Sequence, residues 1–345
     1  MTQLEEVSSR PESRNSRDKR PESNSIGGKS SIVGAFASRY GLVGVWAIMA
    51  AAYALLMPDK FLNVATFQAI FGSQQAMVFL SMAVLCTLVV GEFDLSFASV
   101  MGLSATIVAV LAGLHDVNIV LACLIALAAS ALCGALNAIF VIKLGISSLI
   151  VTLGVGTLLV GIAEMLSDTN TVSVSNEAFA KFTLTDVLGL PISFFYGLLV
   201  AGVFTYVLGW TPLGRHMLFI GANPEVARLA GVRVDRVRAG AYVCGATLSG
   251  LAGIMLVSSV GGFDPSASHA YLLPAFAAVF LSSAVVQPGQ FNPLGAMIGI
   301  YFLSTGILGL QLLGFSNWIQ DVFYGGGLVI AVALATIFRN KATST

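Results

Sequence analysis

Three acidic side chains stand in breaks between apolar stretches of the sequence, where a charge is costly unless it is used. Glu92 and Asp94 belong to the run Gly-Glu-Phe-Asp-Leu-Ser at 91–96, and Asp264 belongs to Gly-Phe-Asp-Pro-Ser at 262–266. Acids in such positions can line a solute pathway, bind a proton or sodium ion, or cap a helix end by accepting hydrogen bonds from exposed N–H groups. The residue types alone leave these roles open.

The residue patterns of hydrolases and metalloenzymes are absent from the sequence. The histidines (His115, His216, His269) lie far apart in the chain, and neither His-Glu-x-x-His nor Gly-x-Ser-x-Gly occurs in an apolar stretch. The four cysteines lie in apolar stretches and form no Cys-x-x-Cys pair. Gly27–Ser30 resembles the end of a phosphate-binding loop, but Ser23 stands where the first glycine is required. We therefore expect no catalytic residue, metal site or cofactor in this chain.

The elements that must position the acids are membrane helices. Hydrophobic residues make up 57% of the chain and charged residues 10%, which is too little charge to cover a soluble surface. The net charge of +0 argues against a nucleic-acid partner. Crossing ~30 Å of hydrocarbon takes about 20 helical residues. The sequence predicts an all-α integral membrane protein with about ten transmembrane helices, at about 41–57, 76–90, 98–114, 119–142, 149–166, 190–210, 239–258, 272–286, 294–313 and 322–338.

The basic residues predict the orientation of these helices. With the N-terminus inside, all of the 17 lysines and arginines except Lys60 and Lys181 fall in cytoplasmic segments, as the positive-inside rule expects. Both termini are then cytoplasmic, and 167–189 is the longest external loop. Residues 1–38 are polar and predict a disordered cytoplasmic tail. Residues 39–338 form the predicted transmembrane domain.

The chain repeats itself weakly. The 91–99 segment is echoed at 262–268, and Leu-Gly-Ile-Ser at 144–147 is echoed by Leu-Gly-Phe-Ser at 313–316, with offsets of about 170 residues. The span that precedes each copy enters from the opposite side, so an inverted repeat is predicted. We place its halves at about 61–166 and 236–338.

A docking helix for a partner is predicted in the cytoplasmic loop 211–238. The run from Pro224 to Ala230 follows Asn223, a favourable N-cap, and precedes Gly231, a favourable C′ residue. Such a helix can dock in a groove of an ATPase. It can also lie among lipid headgroups as a basic interfacial helix, and the two roles are compatible.

Four motifs resemble, in order, those of one transporter family. The 91–96 run looks like the Gly-Gly-Ile-Asp-Leu-Ser signature of the permease subunits of bacterial ABC importers for monosaccharides, of the ribose/xylose/galactose type. Gly134–Asn137 with Ile150–Gly154 is similar to that family's Gly-x-x-Asn and Ile-Val-Thr-Leu-Gly pair. The 214–232 run resembles its cytoplasmic loop, and Leu-Ala-Gly at 251–253 follows as it does there. The resemblance covers roughly residues 60–337.

The resemblance implies a transmembrane pathway subunit of an ATP-driven importer in the bacterial cytoplasmic membrane. Its expected partners are a second permease subunit in a homodimer or heterodimer, cytoplasmic ATPases that bind the ATP, an extracytoplasmic solute-binding protein and the lipid bilayer. Pathway residues are expected at Glu92, Phe93, Asp94, Ser96, Asn137, Thr152, Phe263 and Asp264. Residues for coupling to the ATPase are expected at Gly214, Arg215, Asn223, Pro224, Glu225, Ala227, Arg228 and Gly231.

The sequence departs from the family pattern at two places. Glu92 replaces the second signature glycine and adds a negative charge, and 282–293 lacks the family's glycine-rich run. We expect a stiffer, more polar loop there, so common sugar specificities are not carried over. The alternative function is an ion-coupled secondary transporter that uses Glu92, Asp94 and Asp264. Such a carrier needs no coupling loop, so the 211–238 loop favours the importer.

Overall fold

A computed structural model describes the backbone of residues 30–343 and the side chains of residues 39–333. The helices are α1 (Ser30–Leu56), α2 (Pro58–Phe61), α3 (Val64–Gly72), α4 (Gln75–Val89), α5 (Phe97–Gly113), α6 (Ile119–Ala138) with a π turn (Ile139–Lys143), α7 (Ser148–Ser167), α8 (Glu177–Leu184), α9 (Ile192–Trp210), α10 (Pro212–Ala222), α11 (Pro224–Leu229), α12 (Val234–Val260), a 3₁₀ helix (Pro265–Tyr271), α13 (Leu272–Ser282), α14 (Pro293–Leu312) and α15 (Trp318–Thr343). Two antiparallel pairs of short strands join β1 (Val172–Ser173) to β4 (Gly262–Phe263) and β2 (Asp186–Val187) to β3 (Leu190–Pro191).

Asparagine and proline residues set many helix starts. The Asn118 side chain accepts a hydrogen bond from Val120 N at 2.9 Å at the start of α6, and the Asn292 side chain accepts one from Gly295 N at 2.7 Å at the start of α14. These side-chain oxygens satisfy N–H groups that have no partner within the helix. Proline, whose missing N–H costs nothing at this position, occupies the first turn of α2, α10, α11, α14 and the 3₁₀ helix.

The core is built around α4, which is buried along its whole length. A helix that is apolar on all sides needs neighbours on all sides, and α9, α12 and α13 supply them. α12 lies between α4 and α6 because glycines allow close approach. A Cβ at Gly245 would lie 3.0 Å from Ala83 O of α4, and a Cβ at Gly134 of α6 would lie 2.6 Å from Tyr242 O of α12.

Seven helices of the described residues are long and apolar enough to cross a membrane. α5 and the described part of α15 (Trp318–Ala333) are shorter apolar helices. The predicted span 272–286 is the exception, since α13 has 11 residues and rises about 16 Å, half of the hydrocarbon thickness. The structure therefore gives a multi-helix membrane protein, and the count of ten remains a prediction.

The two halves share an order of elements. α4, α5, α6 and α7 correspond to α12, α13, α14 and α15. Gly91 ends α4 with φ +83° and Gly261 ends α12 with φ +79°, and the later loops contain Gly145 at φ +70° and Gly314 at φ +100°. Only glycine adopts such angles without strain. The segment after α4 lies beside the start of α12 through contact with Arg238, so α4 and α12 run in opposite directions.

Two predicted boundaries differ from the structure. α1 begins at Ser30, within the segment predicted as a tail, while residues 1–29 lie outside the described residues. The predicted loop 211–238 contains two helices, α10 and α11, and α12 already begins at Val234. The sequence did not reveal α10 because it is short and carries both Arg215 and His216 among apolar residues.

Candidate functional site

The segment between α4 and α5 forms a turn around Asp94. Oδ1 of Asp94 accepts hydrogen bonds from the backbone N of Ser96 at 2.8 Å and from its hydroxyl at 2.6 Å. Both residues are buried. The carboxylate thus satisfies the N–H and the hydroxyl of Ser96, the residue that precedes the first turn of α5, and so shapes the backbone that enters this helix.

Asp264 forms the same turn in the second half. Its Oδ1 accepts from Ser266 N at 3.0 Å and from the Ser266 hydroxyl at 2.8 Å, and Thr171 donates to Oδ2 at 3.3 Å. The hydrogen bonds from Ser266 hold the pKa of the Asp264 carboxyl below its usual value. Unlike Asp94, Asp264 is only half-buried, and its partner Ser266 is exposed. The sequence repeat is therefore reproduced in geometry but not in burial.

Two residues from α6 and α7 complete the polar contacts around Asp94. Asn137 Nδ2 donates to the Ser96 hydroxyl at 2.8 Å, and the Thr152 hydroxyl accepts from Leu95 N at 2.9 Å. The Asn137 Oδ1 atom has no hydrogen-bond partner among the described residues. Five predicted pathway residues thus lie together, and we call them the joint cluster: Glu92, Asp94, Ser96, Asn137 and Thr152.

Glu92 is held by two residues of α12. Arg238 donates to Glu92 Oε1, and the Tyr242 hydroxyl donates to Oε2 at 3.0 Å. Glu92 and Tyr242 are buried, and the Arg238 side chain is 22% exposed. A buried carboxylate is tolerated when it is paired and hydrogen-bonded. The arginine therefore offsets the charge that Glu92 brings to a position where the family signature has glycine.

Sequence reasoning missed the role of Arg238 and Tyr242. The sequence places Arg238 in the predicted cytoplasmic loop 211–238, whereas it lies in the second turn of α12. An arginine at the start of an apolar run signals that it has some partner, but the sequence does not say which residue that partner is. Tyr242 gave no signal in the sequence, since a tyrosine inside an apolar helix has many packing roles.

The two predicted pathway phenylalanines differ in environment. Phe93 is 40% exposed, beside the joint cluster, whereas Phe263 is buried and pairs with Val172 in the β1–β4 ladder. The ladder lies next to Gly113, where a Cβ would meet the Ser173 carbonyl. Gly113 ends α5 and Asp94 precedes its start. Phe263 and Asp264 are therefore not part of the joint cluster.

Residues 211–233, which we call the coupling segment, carry the predicted ATPase contacts. The Asn223 side chain accepts from Glu225 N at 3.0 Å and from Val226 N at 3.1 Å, and Gly231 has φ +82°. These are the cap and the C′ glycine that the sequence predicted for α11. Glu225 and Arg228 are exposed, and Arg228 forms an ion pair with Asp235 at 3.0 Å.

Other predicted coupling residues fix α10 and α11 to the bundle. Gly214 packs on the backbone of Val207 and Leu208 at the end of α9. Ala227 is buried, and Pro224 occupies the first turn of α11. Arg215 lines a cavity of about 510 Å³.

This cavity separates α10 from the segment between α13 and α14. Asn292 holds that segment by donating to Ser282 O at 2.7 Å and to Val285 O at 3.0 Å, while Val286 adopts φ +64°. A β-branched residue at positive φ is strained and persists only where its surroundings fix it. These contacts fix the backbone of the segment, while the stiffer loop expected from the sequence stays a prediction.

α10 also contacts the end of α4, one residue before the joint cluster. A Cβ at Gly91 would lie 3.6 Å from the Cα of Gly221, and a Cβ at Gly221 would overlap the Val89 carbonyl. The backbones of α10 and of the α4 end therefore touch without intervening side chains. A displacement of α10 must displace Gly91 as well, because packed interfaces do not deform continuously.

Comparison with known proteins agrees with this architecture. A family model described as "Branched-chain amino acid transport system / permease component" matches residues 67–332. The L-arabinose ABC transporter permease protein AraH of Azospirillum brasilense is 28% identical over 305 residues, covering 88% of this chain and 89% of the relative. The autoinducer 2 import system permease protein LsrD of Escherichia coli K12 is 32% identical over 251 residues, covering 71% of this chain and 76% of the relative. No solved structure matches this chain.

These relatives confirm the resemblance to permease subunits of monosaccharide ABC importers that the motifs indicated. Such subunits are transport components and not enzymes. Because the family model spans nearly all of the helical bundle, this chain belongs to the family of permease components of branched-chain amino acid transport systems.

Proposed function

We propose that this chain forms the transmembrane pathway of an ATP-driven importer for a sugar or a sugar-like small polar solute. The observation that carries the proposal is the backbone contact of Gly221 with Gly91, which links the coupling segment to the joint cluster. Movement of a docked ATPase would reach the joint cluster through this contact and rock the two halves between outward and inward states. The named relatives, permeases for L-arabinose and autoinducer 2, support a small solute.

The orientation proposed from the sequence receives support from the arrangement of basic residues. Val286 N donates to the carbonyl of Arg39 at 3.0 Å, and Arg215 lines a cavity with Val286. Lys143 and Arg236 line another cavity together. Segments with these four basic residues thus lie at one end of the bundle, which we assign to the cytoplasm.

The pathway itself is proposed to run between two permease subunits. The joint cluster is closed to solvent, while Phe93 beside it is exposed. Next to Phe93, α7 exposes Ile150 by 69% and Leu153 by 60%. A second subunit packed against Phe93 and α7 would cover these side chains. The solute pathway would then run between the two subunits, beside the joint cluster.

The remaining partners follow from the two ends of the bundle. Cytoplasmic ATPases would dock on α10 and α11, with Glu225 and Arg228 available for charge complementarity, and would bind the ATP. A solute-binding protein would approach the end that carries β1–β4 and α8. On this reading the chain lies in the bacterial cytoplasmic membrane.

The ion-coupled alternative loses support from the positions of the acids. Glu92 is bound by Arg238 and Tyr242, Asp94 is bound by Ser96, and Asp264 lies beside β4, away from both. The three carboxylates therefore do not form a common ion site.

Reconstitution tests the proposal. The permease is placed in proteoliposomes with an ATPase and a solute-binding protein of the same importer, and uptake of radiolabelled pentoses and hexoses is measured with and without an ion gradient. We expect uptake that requires ATP and has the same rate with and without the ion gradient. Gradient-driven uptake without the ATPase would contradict the proposal.

A further inference from the structure

A groove lies between α6 with its π turn and α12, at the end of the bundle that carries the coupling segment. Its volume is about 560 Å³. Lys143, Asp235 and Arg236 stand at the charged side of the groove. Most of the remaining wall is apolar and includes Ala135, Ile139, Ile142, Ala239 and Val243.

The groove exists because two helices that touch at one level separate at another. At Gly134, α6 comes into backbone contact with Tyr242 and Val243 of α12. Beyond Ala138 the chain widens into the π turn, which ends at Lys143. π turns are frequent at functional sites. From Val243 to Arg236 the groove follows α12 for about 10 Å, with its apolar part deep and its charged part at the helix start.

The charged residues at the mouth of the groove indicate which class of ligand it can bind. Asp235 is paired with Arg228 at 3.0 Å. Among the described residues, no ion pair is formed by Lys143 or Arg236. Two unpaired cations above an apolar groove match a ligand with an anionic head and a hydrocarbon tail, and basic pockets between membrane helices bind anionic headgroups in this way.

We propose that the groove binds an anionic phospholipid, with an acyl chain against Ala239 and Val243 and the phosphate between Lys143 and Arg236. The lipid braces the start of α12 on a different face from the one on which Arg238 and Tyr242 hold Glu92. It thereby stabilises the helix that carries the ion pair to the joint cluster. This inference does not depend on which solute the permease transports.

Native mass spectrometry of the full-length permease, extracted from membranes that contain phosphatidylglycerol and phosphatidylethanolamine, tests the site. We expect a retained phosphatidylglycerol on the wild-type chain and at least a tenfold lower occupancy in the double variant Lys143→Gln, Arg236→Gln. Ala239→Phe, which fills the groove and keeps the charges, should also lose the lipid. The matched control Lys60→Gln, Lys181→Gln removes two cations elsewhere and should keep it.

Each other outcome overturns the proposal. Equal retention of phosphatidylglycerol by the Lys143→Gln, Arg236→Gln variant and by the wild type would show that these two cations do not bind the headgroup. Displacement of phosphatidylglycerol by glycerol phosphate alone identifies a free-anion site. A change of oligomeric state in Ala239→Phe with lipid retained identifies the groove as a contact between two copies of the chain. A monodisperse size-exclusion profile establishes that each variant is folded before it is scored.

Discussion

Arg238, near the start of α12, donates a hydrogen bond to the carboxylate of Glu92, which lies in the turn after α4 and 146 positions earlier in the chain. The pair joins the first half of the repeat to the second at the depth of the joint cluster. It also explains how this chain carries an acid where the family signature has glycine.

Removing one partner of this pair should destabilise the protein. Arg238→Met leaves the buried Glu92 carboxylate without its cation, which typically costs about 3–5 kcal/mol. The double variant Glu92→Gln, Arg238→Met should recover most of the loss. Thermal unfolding in detergent measures both. In the control Lys181→Met, the lost pair with Glu177 is exposed, and the cost should be about 0–1 kcal/mol. Equal shifts for Arg238→Met and Lys181→Met would show that burial does not strengthen the pair of Arg238 with Glu92.

A methyl group at Gly221 should uncouple transport from ATP hydrolysis. The Cβ in Gly221→Ala would overlap the Val89 carbonyl and push α10 away from the end of α4. A coupling loss of about 1–3 kcal/mol corresponds to roughly a 5- to 150-fold fall in solute uptake. The ATPase should still co-purify, because the exposed face of α11 is unchanged. Gly240→Ala is the control, since no atom lies within 4 Å of its Cβ position. Equal uptake by Gly221→Ala and Gly240→Ala would show that the contact of Gly221 with the end of α4 does not carry the coupling.

Substitutions of Asp94 separate capping from proton or ion binding. Asp94→Asn keeps an oxygen that accepts from Ser96, so uptake should be partly retained. Asp94→Leu leaves the buried Ser96 N–H without a partner, at about 1–3 kcal/mol, and should abolish uptake. Asp264→Leu is the matched control, because the same turn is exposed there and water can replace the carboxylate. If Asp94→Asn abolishes uptake as completely as Asp94→Leu does, the charge itself is required.

The pH dependence of uptake should not arise from Asp264. Hydrogen bonds from Ser266 lower the pKa of this carboxyl in the folded state, relative to about 3.9 in an unfolded chain. The stabilising contribution of the ionised group is therefore complete above about pH 4 and is lost as the pH falls through the folded pKa. Between about pH 5 and 8, uptake by Asp264→Asn should change in parallel with the wild type. A pH profile that flattens in Asp264→Asn over this range would contradict the assignment.

Labelling of single cysteines tests the orientation. In a cysteine-free background, a membrane-impermeant maleimide added to spheroplasts should label Glu177→Cys on α8 and leave Glu225→Cys on α11 unlabelled until the membrane is opened. The reason is the excess of basic residues at the end that carries α11. Both positions are exposed in the isolated chain, so each serves as the control for the other. The reverse labelling pattern would place the coupling segment outside the cell.

Local signals predicted the parts of the site that depend on neighbouring residues. Asn223, Pro224 and Gly231 predicted α11 because caps act within one helical turn. The shared offset of the segments around Asp94 and Asp264 predicted a repeat, and each segment forms the same turn. Contacts between distant segments were not predictable from one sequence, and Arg238 with Glu92 is the clearest case. The difference in burial between Asp94 and Asp264 was equally unpredictable, because burial depends on which helices cover each turn.

The length of α13 has a consequence for how the protein enters the membrane. An 11-residue helix containing Pro274 is shorter than the roughly 17 to 25 residues of a typical spanning helix. Its polar ends can enter only after neighbouring helices provide hydrogen-bond partners, as Asn292 does for the Ser282 and Val285 carbonyls. We therefore expect α13 to insert together with α12 and α14, once Asn292 and the start of α14 have been synthesised. Packing of the second half is thus completed later than packing of the first half. In a chain truncated before Pro293, α13 should remain outside the bilayer.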